Sequence, residues 1–151
     1  MAACILEQIA AFVKTALDEL IASGAASSVD RPLRTGTPRS PADKALVLYQ
    51  DDPALDEEAP MGFKQWVQPF AVDCYVKPSD ASTTPVDTAV NEIRAQVEKK
   101  LREDPTCGGL ALDLRIAEPE GFVAANGAFE GVRVNCDVLY RHVEDDPYSR
   151  S

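Results

Sequence analysis

Apolar residues recur along this chain with two periods, and each change of period marks an element. Ile5, Ile9, Phe12, Val13, Leu17, Leu20 and Ile21 follow helical spacing, and Ser23-Gly24 supplies a stop. This pattern predicts a surface helix packed on a core by one broad face. Val86, Val90, Ile93, Val97 and Leu101 form a second stripe, with Asp87, Asn91, Arg94, Glu98, Lys99 and Arg102 on the solvated side. Thr84 as cap, Pro85 at the first helical position and Asp87 at the positive end of the dipole favour a start there. Asp104-Pro105 closes the helix, because a residue before proline is pushed out of the α region.

Elsewhere the period is two. Residues 45–49 form a short apolar run, and Phe70, Val72, Cys74 and Val76 alternate with polar or small residues within 63–76. Pro69 interrupts that second run, which predicts an edge position or a bulge. After a Gly108-Gly109 turn, Leu110, Leu112, Leu114 and Ile116 give the cleanest alternation in the chain. Asn126-Gly127 marks a turn, and Val132, Val134, Cys136, Val138 and Tyr140 then share one face of a last strand. The order helix, strand, strand, helix, strand, strand predicts an α+β fold. Its mostly antiparallel sheet has about four strands, with two amphipathic helices packed on one face. Residues 1–151 read as one domain, without internal repeats.

The connections differ in character. Residues 24–43 carry three prolines with Arg31, Arg34 and Arg39. An extended, solvated connection with a short edge strand near Val29 is favoured over a basic docking arm. Residues 50–62 are acidic, hold two prolines and show no period, which predicts a flexible loop. Loops on compact domains often carry interactions, so Asp51, Asp52, Glu57 and Glu58 become candidate contact residues. Trp66 is expected in the core or at a subunit contact. Residues 142–151 read as a polar tail, with His142 exposed at the end of the last strand.

Fifteen basic residues against twenty-five acidic ones give a net charge of −10. That balance disfavours binding led by the nucleic-acid backbone, which needs clustered Lys and Arg. Cys4, Cys74, Cys107 and Cys136 form no CxxC pair and sit in or beside apolar runs. Free thiols in a reducing cytosol are expected, rather than disulfides or zinc ligands. No stretch reaches the ~18 to 20 apolar residues of a membrane span. The N-terminal stretch carries Glu7, Lys14, Asp18 and Glu19 where a signal peptide would be apolar.

Candidate chemistry is sparse. The single histidine, His142, has no nucleophile motif to serve. The chain has no G-x-S-x-G, P-loop, G-x-G-x-x-G or H-E-x-x-H. Asp51-Asp52 and Glu57-Glu58 lack the spacing of an EF-hand. No catalytic, cofactor-binding or metal-ligating residue is assigned.

The order of the pieces is more informative. An N-terminal amphipathic helix precedes a Pro-containing connection, a short strand and an acidic loop. A long strand, a second helix ending in DPTCGGLALDLRI and a last strand running into VLYRHVEDDPY follow. This arrangement resembles the tail terminator, or tail completion, proteins of long-tailed bacteriophages. The closest points are residues 104–116, with the Gly108-Gly109 turn, and residues 138–148, with Tyr140, Arg141, Asp146 and Pro147.

The resemblance implies a non-enzymatic virion protein of the tail or neck, assembled in the host cytoplasm. It would form a homo-oligomeric ring, usually a hexamer, at the head-proximal end of the tail tube. That ring would end polymerisation of the tail tube protein and join the tail to the head-tail connector or stopper protein. DNA would pass through without specific binding, and neither cofactor nor membrane is implied. Assembly-interface candidates are then Asp51, Asp52, Glu57, Glu58, Trp66, Arg141 and Tyr148. Another head-tail adaptor, stopper or minor tail protein is the alternative, and a small-molecule-binding or enzymatic α+β domain a further one.

Overall fold

The structure, a computed structural model, describes residues 3–31, 44–77, 85–118, 120–123 and 130–150. Its fold is α+β: helices α1 (Ile5–Ala22) and α2 (Val86–Arg102) pack on one face of a mostly antiparallel sheet. Among the described residues the sheet has seven strands rather than about four: β1 (Ser28–Asp30), β2 (Lys44–Gln50), β3 (Ala54–Asp56), β4 (Phe63–Val76), β5 (Asp113–Ile116), β6 (Glu120–Val123) and β7 (Glu130–Val143). The additional strands are three or four residues long, too short for a period to emerge from sequence.

The long strands β4 and β7 pair antiparallel along their full length, from Phe63↔Val143 to Val76↔Glu130. On the far side of β4, β2 covers residues 70–76 and β3 covers 65–67. On the far side of β7, β6 covers residues 130–133 and β5 covers 136–139. Strand β1 runs parallel to β2 and forms an edge. Pro69 sits inside central β4, at the gap where β2 has ended and β3 has not begun. Its carbonyl accepts the Asp51 N–H at 3.1 Å, so the hydrogen-bonding side of this position faces the gap. The expected edge is therefore local, and the missing N–H costs no bond to β7.

Register builds the core. Leu46, Cys74 and Val132 lie abreast, as do Leu48, Val72 and Val134, and Phe70 pairs Cys136. This face buries Ile5, Ile9, Val13, Leu17 and Leu20 of α1 and Ile93, Val97 and Leu101 of α2. Each such side chain contributes about 1.5–3 kcal/mol by leaving water. Ile21, assigned by spacing to the stripe, is instead 42% exposed, because α1 ends one residue later. The stop at Gly24 has a physical form. With φ of +82°, Gly24 donates to the Ile21 carbonyl and Ala25 to that of Leu20, closing the helix on left-handed backbone. Pro85 is the N-cap of α2 rather than its first helical residue, one position from expectation. Thr84, Arg34, Arg39 and Asn126-Gly127 lie outside the described residues.

Two expected segments are corrected. The run from Leu110 does not begin as a strand, since turns occupy residues 105–110 and β5 starts at Asp113. Cys107, Gly108 and Gly109 all take positive φ, and Asp104 caps the turn through the Thr106 and Gly108 N–H groups. A Cβ on Gly108 would stand 3.5 Å from the Phe12 ring, so the turn also lies close against α1. The supposed polar tail is folded. His142 and Val143 belong to β7, Val143 bonds Ser149, and the Pro147 carbonyl accepts the Ile5 N–H at the open start of α1.

Replacing Ile93 with Asp should unfold the chain, since an unpaired charge in this core costs several kcal/mol against a total of about 5–15. Asn91→Ala, on the exposed side of α2, should change stability by under ~0.5 kcal/mol; thermal melts of both check the stripe.

A second expectation concerns Asp104, whose carboxyl is held below its ordinary 3.8, chiefly by the Thr106 hydroxyl and then by the Gly108 N–H. A depressed carboxylate contributes stability that is present above its unfolded value and lost as pH falls through the folded one. In melts taken from pH 7 to 3, Asp104→Asn should therefore be less stable at pH 7, and the gap to wild type should narrow in acid.

Candidate functional site

The acidic connection 50–62 is anchored rather than loose. Asp51 donates to Pro69, while the buried Gln68 amide donates to the carbonyls of Asp51 and Pro69. The Gln68 Oε1 atom has no hydrogen-bond partner among the described residues. Three residues of the connection form β3, correcting the expectation of a loop throughout. Asp56 accepts the Glu58 N–H at 3.1 Å and the Gln65 amide at 2.8 Å. Those bonds hold its carboxyl below the usual range. Asp51, Asp52, Glu57 and Glu58 are exposed.

The fold adds a second acidic segment to this end. Glu144 donates to the Gly62 carbonyl at 2.9 Å, so the turn carrying Glu144, Asp145 and Asp146 lies beside the β3–β4 connection. Tyr148, 52% exposed, is fixed by its N–H to the Asp146 carboxylate at 3.0 Å. Sequence separates these two acidic runs by more than eighty positions, and the β4–β7 register brings them together.

Trp66 and Arg141 share this end but not a face. Trp66 lies on the helix side, opposite Tyr140, and its indole N–H donates to His142 Nε2 at 3.0 Å. An indole can only donate, so Nε2 accepts and the imidazole hydrogen sits on Nδ1, which meets the Val143 carbonyl at 2.6 Å. His142 is 8% exposed, not the exposed strand end expected, because β7 runs three residues further than its apolar alternation. Arg141 points to the opposite face, with its guanidinium 5.1 Å from the centre of the Phe63 ring.

That opposite face, free of helices among the described residues, holds a group that sequence reasoning missed. Asp73, 3% exposed, receives Arg133 through two bonds of 2.6 and 3.0 Å. The Arg133 guanidinium also lies 5.9 Å from the Tyr49 ring centre, and the Tyr75 hydroxyl is 3.5 Å from Asp73. Burial, then the Asp73 charge, pushes Tyr75 up to about 12 and raises Tyr49. The hydrogen bonds it donates to Asp73 raise Arg133 above its ordinary value. The available signal was parity: Asp73 and Arg133 both occupy polar slots of alternating strands, but their pairing needs the register.

Two open clefts have volumes near 320 and 330 Å³. One is lined by Gly109, Leu110, Ala111, Leu112, Arg141 and Arg150, the other by residues including Lys44, Glu92 and Gln96. All four cysteines are free thiols. Burial pushes Cys107 up to about 11 and Cys136 up to about 12, and raises Cys74 further, so these three stay neutral. Among the described residues, no group of three His, Cys, Asp or Glu could hold a metal ion. No described helix is long and apolar enough to cross a membrane.

No family model matches the chain, and no curated protein matches it. Among solved structures, it is similar to a chain from the virion of a native gene transfer agent particle. The identity is 12% and the TM-score 0.48, over 91% of this chain and 92% of that one.

Arg133→Met should cost about 1–3 kcal/mol by stranding the Asp73 carboxylate, less than a fully buried pair would because the guanidinium is partly in water. Denaturant unfolding checks this. The double change Asp73→Val with Arg133→Met should recover part of the loss.

Proposed function

We propose that this chain is a structural virion subunit of the tail-terminator kind. It assembles as a homo-oligomeric ring, sixfold in the proteins it resembles, at the head-proximal end of a phage tail tube. The observation that carries this reading is the acidic end of the sheet, where two distant segments converge at one end of the β4–β7 ladder. An assembly subunit needs exposed groups held at fixed positions by a stiff frame, and Gln68, Asp56 and the Glu144–Gly62 bond supply that hold. The order of elements supports it too, because helix, short strand, acidic connection, long strand, helix and long last strand follow the pattern the sequence resembles.

In this reading the protein is not an enzyme and needs no cofactor. The cleft of about 320 Å³ is lined by Gly109, Leu110, Ala111, Leu112, Arg141 and Arg150, a set suited to contact rather than to acid–base chemistry. The ring's partners are further copies of itself, the tail tube protein below and the connector or stopper above. Acidic groups facing the bore would repel passing DNA and leave it mobile.

Neutralising Asp51, Asp52, Glu57 and Glu58 to Asn and Gln should leave the melting temperature nearly unchanged, since exposed acids contribute little. Particles assembled with that variant should show rings that fail to form, tails of uncontrolled length, or tails that do not join heads. Electron microscopy decides between the outcomes. Normal tails joined to heads would remove the acidic end from the assembly surface.

A further inference from the structure

The two ends of one row of strands carry matching surfaces. At the acidic end of the sheet, the order across is β3, β4, β7 and then the 110–112 segment, which Leu112 ties to β7 through the Leu139 carbonyl at 2.7 Å. The β3 edge presents Leu55, 54% exposed, with Asp51 and Asp52 before it and Glu57 and Glu58 after it. The far edge presents the cleft of about 320 Å³, floored by Leu110, Ala111 and the 43%-exposed Leu112 and bordered by Arg141 and Arg150. One edge is a leucine between acids; the other is an apolar floor between arginines.

Neither arginine is paired with a carboxylate among the described residues. Arg150 donates to the Gly109 carbonyl and Arg141 rests on Phe63, which fixes both at the rim with charge unspent. The two surfaces cannot meet within one chain, because β4 and β7 stand between them. They face opposite ways across the sheet, so the contact they fit is head-to-tail between copies, the kind that closes into rings when the rotation permits. Both lie at the same end of the strands, so successive copies need little displacement along the strand direction, as a flat ring requires.

We infer that the β3 edge of one copy, with Leu55 at its centre and Glu57 and Glu58 beside it, docks in the Leu112–Arg141–Arg150 cleft of the next. The inference rests on the ring reading above and names the contact that would build it. Desolvating the leucine pair supplies an apolar centre, and the surrounding charges fix register and speed encounter. Self-association should therefore weaken as salt rises.

The test compares wild type, Glu57→Arg with Glu58→Arg, Arg141→Glu with Arg150→Glu, Leu55→Asp, and the four charge reversals combined. Native mass spectrometry and light scattering read the oligomer, and melting curves confirm that each variant is folded. Each charge-reversed pair and Leu55→Asp should weaken self-association at least about tenfold, and the combined variant should regain most of it. Rings that persist in every variant would overturn this contact and leave the ring reading standing. Losses without recovery in the combined variant would also overturn it. A wild type that stays monomeric at all concentrations would overturn both.

Discussion

The fourteen-residue ladder between β4 and β7 is the constraint from which the other features follow. Antiparallel pairing of this length fixes parity over both strands, since a slip of one residue would send every buried side chain to solvent. The even-numbered positions of both strands then face the helices, and the odd-numbered ones build the opposite surface. Each remaining strand lengthens one side of this pair. The same ladder carries Trp66 to Tyr140 and His142, Asp73 to Arg133, and the acidic connection to the C-terminal turn. A single register thus sets the core, the half-buried ion pair and the acidic end together.

The two faces solve different problems with that frame. On the helix side, stripes from α1 and α2 meet an almost wholly apolar surface, and the free energy comes from removing hydrocarbon from water. On the other side no helix of the described residues arrives. Small residues (Ala45, Val47, Ala71) are shielded there, beside the tyrosines and the Arg133–Asp73 bridge. Arg133 lays its hydrocarbon stem along the sheet while its head satisfies the carboxylate, which gives two uses to one side chain. Surface ion pairs play a lesser part: Arg31 clasps Glu7, and Lys100 bridges Glu19 on α1 and Glu103, with the carboxylates largely exposed.

Much of this was legible because long elements repeat their signal. Both helix stripes, the bounds of β4 and the small strand near Val29 could be read from periodicity and punctuation. What escaped was what depends on pairing or on a single residue. Three-residue β3 has no room for a period, and its existence depends on Gln65 and Trp66 offering a partner edge. The alternation from Leu110 looked like a strand because it ignored the left-handed backbone at Cys107, Gly108 and Gly109, which only contacts with Asp104 and Phe12 explain. His142 looked exposed because charged neighbours surround it in sequence, whereas alternation had placed it on the inward side. The candidates Asp51, Asp52, Glu57 and Glu58 are exposed on either side of β3, while Trp66 and Arg141 fall on opposite faces of the sheet.

Pro69 has a consequence beyond sparing a hydrogen bond. By ending one ladder and delaying the next, it divides the outer flank of β4 into two sections that share no backbone bond. Peeling β3 away would cost its own three pairings and leave β2 and the helix-covered core intact. Amide protons of residues 54–56 should accordingly exchange through local opening, far faster than those of 70–76, which wait for global unfolding. The chain thereby carries its acidic β3 edge on a local set of bonds, the Gln65–Asp56 bond among them, that is separate from those of the helix-covered core.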